Sequence, residues 1–238
     1  MAYNMVRRLV RHLRRLAQPL IWPAYRWYLS KPRWYRHLGL SIRVLPSVFH
    51  PGWLVSTKVF LEFAMKLNTA GKRVLELGAG SGLISLYLAK KGALVTASDL
   101  NPMAVRAMRE SSLKNNIPLT LVESDLFKNI PLQQFDYIFI NPPFYPRQPK
   151  DDWERAFFCG TDFEFFRSLF NQIGPFMGPA THVYLILNEY CSITKIIEIA
   201  EANEIVFNRV LQKRKAGEWQ YIFEMSNRPF DNFVQKNS

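Results

Sequence analysis

The feature that most constrains the fold is an alternation of short apolar runs and helical segments that begins at residue 72. Buried strands are predicted at KRVLELGAG, LVTASDL, LTLVESDL, FDYIFINPP and THVYLILNE. Helices are predicted around them at residues 82–91, 101–116, 160–174 and 192–203. Two final strands, around residues 205–212 and 219–226, are joined by KRKAGE as a hairpin. This order predicts a doubly wound α/β fold with a seven-stranded, mostly parallel sheet and an antiparallel C-terminal hairpin strand.

Composition narrows the class of protein. The 238 residues are 48% hydrophobic, which is enough for a substantial core, and no apolar run is long enough for a membrane-spanning helix. No uninterrupted apolar stretch of a secretory signal is present. Cys159 and Cys191 are far apart, and the histidines show no ligand spacing; they are His12, His37, His50 and His182. We predict a reduced, cytoplasmic protein without a metal.

Positive charge is concentrated at the N-terminus. Residues 1–61 contain 11 of the 31 Lys and Arg residues and no acidic residue, whereas residues 62–238 contain the other 20 basic residues and all 19 acidic ones. The segment contains a predicted amphipathic helix at residues 4–17, followed by tryptophans and tyrosines interleaved with Arg and Lys. Three interpretations remain open: an RNA- or ribosome-binding segment, a peripheral membrane contact, and a helix packed on the core.

Three regions are therefore predicted. Residues 1–36 form a basic aromatic N-terminal segment, residues 37–70 a hairpin and helix, and residues 71–230 the core domain. Ser-Thr at residues 56–57 is read as the cap of the helix in the second region.

Acidic and glycine residues follow successive strands of the core. Gly78, Gly80 and Gly82 have G-x-G-x-G spacing, and Asp99 follows 21 residues after the first of them, at the end of the next strand. An acid at that place can accept hydrogen bonds from both ribose hydroxyls. Asp125 ends the third strand, and Glu76 precedes the glycines. A tight turn without a ligand would also use glycines, but the set of acids predicts a pocket for a nucleoside without phosphates.

The fourth strand is predicted to end on Asn141, followed by Pro142, Pro143 and Phe144. The lone pair of an amide or aromatic amine is delocalised, so such a nitrogen is a poor nucleophile. Two hydrogen-bond acceptors, the Asn141 side-chain carbonyl and the Pro142 backbone carbonyl, can hold both N–H bonds and aim the lone pair. Pro143 restricts Pro142 to an extended conformation, and Phe144 offers a flat face for stacking. The motif indicates chemistry on a planar NH₂ group.

With these residues the chain resembles the class I S-adenosylmethionine-dependent methyltransferases, with a Rossmann-like fold, over roughly residues 40–226. The resemblance implies that the glycines lie beside the methionine part of the cofactor, Asp99 at the ribose and Asp125 at the adenine. The cofactor contacts that it implies are Thr57, Glu76, Gly78, Ala79, Gly80, Gly82, Asp99, Leu100, Asp125, Leu126 and Asn141. Asn141, Pro142, Pro143 and Phe144 are the implied catalytic set.

Two further segments resemble the release-factor glutamine methyltransferases and the ribosomal-RNA guanine-N2 methyltransferases, which share a small methyltransferase domain. They are AFFCGTDFEFFRSLF and LSIRVLPSVFHPGWLVSTKVFLEF. The match implies that Phe49, His50, Pro51 and Thr57 lie near the mouth of the site, although His50 also reads as a turn residue. Ser56 replaces the usual acid before the threonine, and Phe144 is typical of the RNA enzymes. The helical substrate domain of the glutamine enzymes has no counterpart in the preceding residues.

We therefore expect an S-adenosylmethionine-dependent N-methyltransferase that acts on a protein glutamine or asparagine amide, or on the exocyclic amine of an RNA base. Two alternatives stay open: a small-molecule N-methyltransferase, and a non-catalytic cofactor-binding factor associated with ribosomes or membranes. The glycine spacing differs from the G-x-G-x-x-G of nicotinamide-binding proteins, which argues against an oxidoreductase.

Overall fold

The computed structural model describes residues 30–48 and 50–227. The predicted helix at residues 4–17 and Phe49 lie outside these residues. The strands are β1 (Arg33–His37), β2 (Leu40–Val44), β3 (Arg73–Leu77), β4 (Leu94–Asp99), β5 (Thr120–Glu123), β6 (Tyr137–Ile140), β7 (His182–Asn188), β8 (Ile205–Lys215) and β9 (Glu218–Asn227). The α-helices are α1 (Val55–Ala64), α2 (Leu83–Lys90), α3 (Pro102–Asn115), α4 (Glu164–Ile173) and α5 (Ile193–Glu201).

Seven strands form one sheet in the order β5-β4-β3-β6-β7-β9-β8. The first five in this order are parallel to one another, and β9 is antiparallel to both of its neighbours. The predicted Rossmann-like fold is therefore confirmed. The final hairpin is longer than predicted, because Lys213–Lys215 continue β8 and the turn is confined to residues 216–217.

Alternating side chains of the central strand serve two separate cores. On β6, Ile138 packs with Phe166 of α4 in one core, whereas Phe139 packs with Phe60 of α1 in the other. All four side chains are fully buried. Because both faces of the strand are covered, its sequence is continuously apolar, as is typical of parallel sheets.

Helix α3 begins as the sequence predicts, and α1 does not. Asn101 caps α3, since its Oδ1 accepts a hydrogen bond from the Met103 amide at 2.9 Å and Pro102 takes the first position. The predicted Ser-Thr cap of α1 is wrong. The helix starts at Val55, its N-cap is Leu54, and no side chain caps it. Ser56 and Thr57 instead lie buried in the first turn, where both face the central cavity.

The β1–β2 hairpin is tied to α3 by side chains of the helix. The Asn115 side chain accepts from the Ser41 amide at 2.8 Å and donates to the Ser41 carbonyl at 2.7 Å. The Ser111 hydroxyl accepts from the Arg43 amide at 2.7 Å. These bonds fix the hairpin to α3, and the Asn101 side chain donates to the Ser47 carbonyl, in the connection between β2 and α1, at 3.0 Å. Over residues 30–48 and 50–227, no helix combines the length and apolar character needed to cross a bilayer.

Candidate functional site

A cavity of about 600 Å³ opens at the carboxyl ends of the central parallel strands. This is where ligands bind in open α/β sheets. All but one of the residues predicted to contact the cofactor or to catalyse the reaction line it: Thr57, Glu76, Gly78, Ala79, Gly80, Asp99, Leu100, Asp125, Leu126, Asn141, Pro142, Pro143 and Phe144. The exception is Gly82.

The Asp99 carboxylate is held by backbone amides of two loops. Its Oδ2 accepts from the Gly80 amide at 2.7 Å, and its Oδ1 accepts from the Asn101 amide at 2.8 Å. Burial raises the pKa of Asp99, and these hydrogen bonds oppose the shift. The acid that was predicted from its spacing is thus a preorganised acceptor beside the glycine loop.

Glu76 is a second buried carboxyl group in the cavity wall. One of its oxygens accepts both the Ser85 amide, at 2.8 Å, and the Ser85 hydroxyl. Burial raises the pKa of Glu76 to about 7, and the nearby charge of Asp99 adds to the shift. Ser85 was missed in the sequence. Its signal is a polar residue in the otherwise apolar helix that follows the glycines.

The three glycines have different roles in the structure. All three have positive φ, at +70° for Gly78, +55° for Gly80 and +71° for Gly82. A Cβ on Gly78 would meet no atom within 4 Å, whereas one on Gly82 would lie 2.6 Å from Cγ of Met108. Gly82 thus lets α2 pack against α3, and its predicted contact with a cofactor is not supported by the cavity lining.

Asn141 is the first residue after β6. Its side-chain nitrogen lies 3.5 Å from the hydroxyl oxygen of Thr57, which accepts the bond. The amide oxygen of Asn141 accepts no hydrogen bond from the residues that the structure describes. The side chain therefore presents a hydrogen-bond acceptor in the cavity wall.

The loop after Asn141 is fixed by the chain segment that follows it. The amides of Phe144 and Tyr145 both donate to the Phe157 carbonyl, at 3.1 and 3.0 Å, and the Cys159 amide donates to the Tyr145 carbonyl at 2.9 Å. The Phe144 ring is partly buried against the core and lies edge-on to Tyr145 at 4.7 Å. These contacts hold the ring at the cavity wall.

This segment also forms a far wall that sequence reasoning missed. Its polar members facing the cavity are Gln148, Asp152, Arg155 and Glu164. Asp152 and Arg155 lie 3.6 Å apart as an exposed ion pair. The four residues carry no recognisable spacing, because Gln148 and Asp152 lie in the loop, Arg155 in a 3-10 turn of Glu154–Ala156, and Glu164 at the start of α4.

Of the residues predicted near the mouth of the site, only some line the cavity. Thr57 lines it, but His50 and Pro51 do not. His50 is buried in a turn, where its Nδ1 accepts from the Gly52 amide at 3.1 Å. Of the two interpretations of His50, the structure favours the turn residue.

The electrostatics of the cavity suit a ligand with hydroxyl and amino groups. Glu76, Asp99 and Asp125 supply three carboxyl groups to one wall. Asp125 is neutralised in part by Lys128, at 2.6 Å. A phosphate would be repelled by this set, whereas ribose hydroxyls and an ammonium group are matched by it.

Comparison with known proteins identifies the family. The family model of the methyltransferase small domain matches residues 39–161. This range runs from the turn before β2 to the segment that forms the far wall of the cavity. The chain belongs to this family. The resemblance predicted from the glycine and Asn-Pro-Pro-Phe motifs is therefore confirmed.

Among relatives, a protein of Methanocaldococcus jannaschii named as an N5-glutamine methyltransferase is 38% identical over 109 residues, which are 45% of this chain and 53% of the relative. The tRNA1(Val) (adenine(37)-N6)-methyltransferase of Shewanella loihica is 32% identical over 148 residues, 58% of this chain and 61% of the relative. The chain therefore matches little more than half the length of either protein.

Among solved structures, the 16S rRNA N2 G1207 methyltransferase of T. thermophilus, in complex with AdoMet and guanosine, has a TM-score of 0.58. It is 22% identical, and the match covers 81% of this chain and 50% of that one. At this identity the likeness establishes the fold alone.

Proposed function

We propose that the chain is an S-adenosylmethionine-dependent methyltransferase that methylates a planar amino nitrogen. The observation that carries this proposal is the position of Asn141. It follows β6, its nitrogen is engaged by Thr57, and its oxygen is left as an acceptor in the same cavity as Asp99 and Glu76. Proteins similar to this chain act on a glutamine amide and on an adenine amine by their names, which supports a planar NH₂ as acceptor.

The chemistry of the cavity lining fits the cofactor. Asp99 is preorganised for ribose hydroxyls by the Gly80 and Asn101 amides. Glu76 can attract the amino group of the methionine part once it is ionised, and Asp125 with Leu126 borders the place for the adenine. When bound, S-adenosylmethionine supplies a methyl group activated by its positively charged sulfur.

The residues of the chain would act on the acceptor. The Asn141 oxygen and the Pro142 carbonyl accept the two N–H bonds of the amine, so its lone pair is turned away from them and positive charge on the nitrogen is stabilised. The Phe144 ring holds the planar group by stacking. No side chain is needed as a strong base, because the nitrogen becomes acidic only after it carries the methyl group and can then release its proton to water.

A reducing compartment such as the cytoplasm is the setting that we propose. Both cysteines, Cys159 and Cys191, are free thiols buried in the core. Burial raises their pKa, to about 11 and about 12, so they stay protonated and inert at neutral pH.

The boundaries of the three regions predicted from the sequence, after residue 36 and after residue 70, remain predictions.

The test is transfer of labelled methyl from S-adenosylmethionine to an extract of cells that lack the gene. Protein, RNA, lipid and small-molecule fractions are counted separately, with Asn141→Ala and an exposed-surface control on α4, Asn171→Ala, alongside. Label in one macromolecular fraction that is lost only with Asn141→Ala supports the proposal. Cofactor binding by calorimetry without transfer to any fraction would favour the non-catalytic alternative.

A further inference from the structure

A fully buried serine holds the carboxyl group of Glu76. Ser85 is the third residue of α2, and its side chain does not line the cavity. Its backbone amide, at 2.8 Å, and its hydroxyl both donate to Oε2 of Glu76. Ser85 makes no other side-chain hydrogen bond with the residues that the structure describes. It is therefore placed to act on a ligand through Glu76 without touching that ligand.

The two bonds leave one oxygen of the carboxyl group available. Both end on Oε2, whereas Oε1 accepts no hydrogen bond from the described part of the chain. The carboxyl group cannot rotate without breaking both bonds, so Oε1 keeps a fixed direction. Because Glu76 is part of the cavity wall, Oε1 is the oxygen that remains for a ligand.

The same two bonds stabilise the charged form of the carboxyl group. The Ser85 amide is one of the first amides of α2, which have no partner within the helix and lie at the positive end of its dipole. Burial and the charge of Asp99 raise the pKa of Glu76, whereas both bonds from Ser85 lower it. Loss of the hydroxyl would thus make Glu76 a weaker acceptor for a cation at neutral pH.

We propose that Ser85 is a positioning residue for the cofactor, because its two bonds to Oε2 of Glu76 direct Oε1 to the amino group of S-adenosylmethionine. The role rests on the proposed function, in which Glu76 attracts that amino group. A carboxylate that is fixed before the ligand arrives loses no rotamer freedom on binding, which strengthens the interaction.

A purely structural role is the alternative for Ser85. A buried carboxyl group needs hydrogen-bond partners for the stability of the fold, whether or not a ligand is bound. A structural defect would weaken every ligand of the cavity to a similar extent. Loss of a positioning residue would instead weaken only those ligands that carry the amino group. Two ligands that differ in this group therefore separate the two roles.

Calorimetry on the full chain with S-adenosylhomocysteine and 5′-methylthioadenosine tests the proposal. The first ligand carries the amino group, and the second keeps adenine and ribose but lacks the amino-acid part. We expect Ser85→Ala to weaken binding of S-adenosylhomocysteine by roughly three- to tenfold, the effect of one hydrogen bond, and to leave 5′-methylthioadenosine within about twofold. Ser85→Cys, which fills the site with a weak donor, should behave in the same way.

The matched control is Ser112→Ala. It removes a hydroxyl that donates to the Ile117 carbonyl at 2.6 Å, outside the cavity lining. We expect this variant to bind both ligands as the parent does. Thermal unfolding of all variants measures the loss of stability separately from the loss of affinity.

The same change in a Glu76→Gln background shows whether Ser85 acts through Glu76. Glu76→Gln alone should reduce the preference for S-adenosylhomocysteine over 5′-methylthioadenosine. Ser85→Ala should then reduce it no further, since the glutamine carries no charge for the hydroxyl to stabilise. A further loss as large as in the parent would contradict action through Glu76.

Equal losses for both ligands in Ser85→Ala and Ser85→Cys, or no loss for either, would overturn the positioning role and leave the proposed function standing. A parent chain that binds neither S-adenosylmethionine nor S-adenosylhomocysteine would refute the proposed function, and the role of Ser85 with it. A loss confined to S-adenosylhomocysteine, and absent in the Glu76→Gln background, supports the role.

Discussion

The side-chain nitrogen of Asn141 lies 3.5 Å from the hydroxyl oxygen of Thr57, so a residue of α1 orients the amide at the end of β6. Without this partner the amide could turn its nitrogen toward the acceptor amine and oppose it with a second donor. The contact links the segment before the core to the proposed chemistry, although Asn141 and Thr57 are 84 residues apart.

Replacement of Thr57 by valine should therefore slow methyl transfer more than it weakens cofactor binding. We expect roughly a two- to tenfold loss of turnover, the effect of one lost hydrogen bond of about 0.5–1.5 kcal/mol. Thr57→Ser keeps the hydroxyl and should restore most of the rate. Single-turnover transfer and calorimetry with S-adenosylmethionine measure the two effects, and equal losses in both would count against an orienting role.

Glu76 makes the stability of the cofactor-free protein depend on pH. Its pKa is about 7 in the fold and 4.5 without it, so the folded state holds the proton more tightly. The contribution of Glu76 to the free energy of unfolding is therefore most favourable below pH 4.5. It falls by on the order of 3 kcal/mol as the pH rises from there to about 7.

Glu76→Gln should remove this dependence, because the glutamine oxygen can still accept from Ser85. Relative to the parent, the variant should gain stability between pH 5 and pH 8 in urea unfolding without cofactor. Glu201→Gln, an exposed change on α5, serves as the control. An unchanged difference between parent and Glu76→Gln at the two pH values would show that the buried carboxyl group does not titrate as described.

The glycine motif should separate into a binding position and a packing position. A Cβ on Gly82 would lie 2.6 Å from Met108, a fully buried residue of α3, so Gly82→Ala should destabilise the fold by about 1–3 kcal/mol. Gly78→Ala meets no protein atom and carries only the strain of positive φ, about 1 kcal/mol. Its main effect should be weaker binding of S-adenosylmethionine. Thermal unfolding measures the loss of stability, and calorimetry measures the loss of affinity for S-adenosylmethionine. A stable Gly82→Ala that binds the cofactor weakly, with an unstable Gly78→Ala, would contradict these roles.

The fold and one half of the site could be predicted because local sequence determines them. Strand ends carry Asp99 and Asn141, and parallel strands bring their carboxyl ends to one edge of the sheet, so spacing along the chain becomes proximity in space. The glycine turn and the Asn101 cap are likewise local. These features need no knowledge of long-range contacts.

The remaining features depend on packing between distant segments. The Ser56–Thr57 pair has the pattern of a helix cap, but tertiary contacts start α1 earlier and direct Thr57 to Asn141. The far wall of the cavity follows from hydrogen bonds between the loop after Asn141 and Phe157. Gly82 has the same local signal as Gly78, and only the position of Met108 separates their roles.

Phe144 should affect the acceptor and not the cofactor. Its ring is partly buried, so Phe144→Leu, which keeps an apolar side chain, is a safer change than alanine. Loss of stacking, worth about 1–3 kcal/mol for a base, should lower kcat/KM for the acceptor by roughly 10- to 100-fold. Phe144→Tyr keeps the flat face and should retain most of the activity. Methylation of the fraction that accepts label gives kcat/KM, and a loss of S-adenosylmethionine affinity as large as the loss of kcat/KM would place the ring at the cofactor instead.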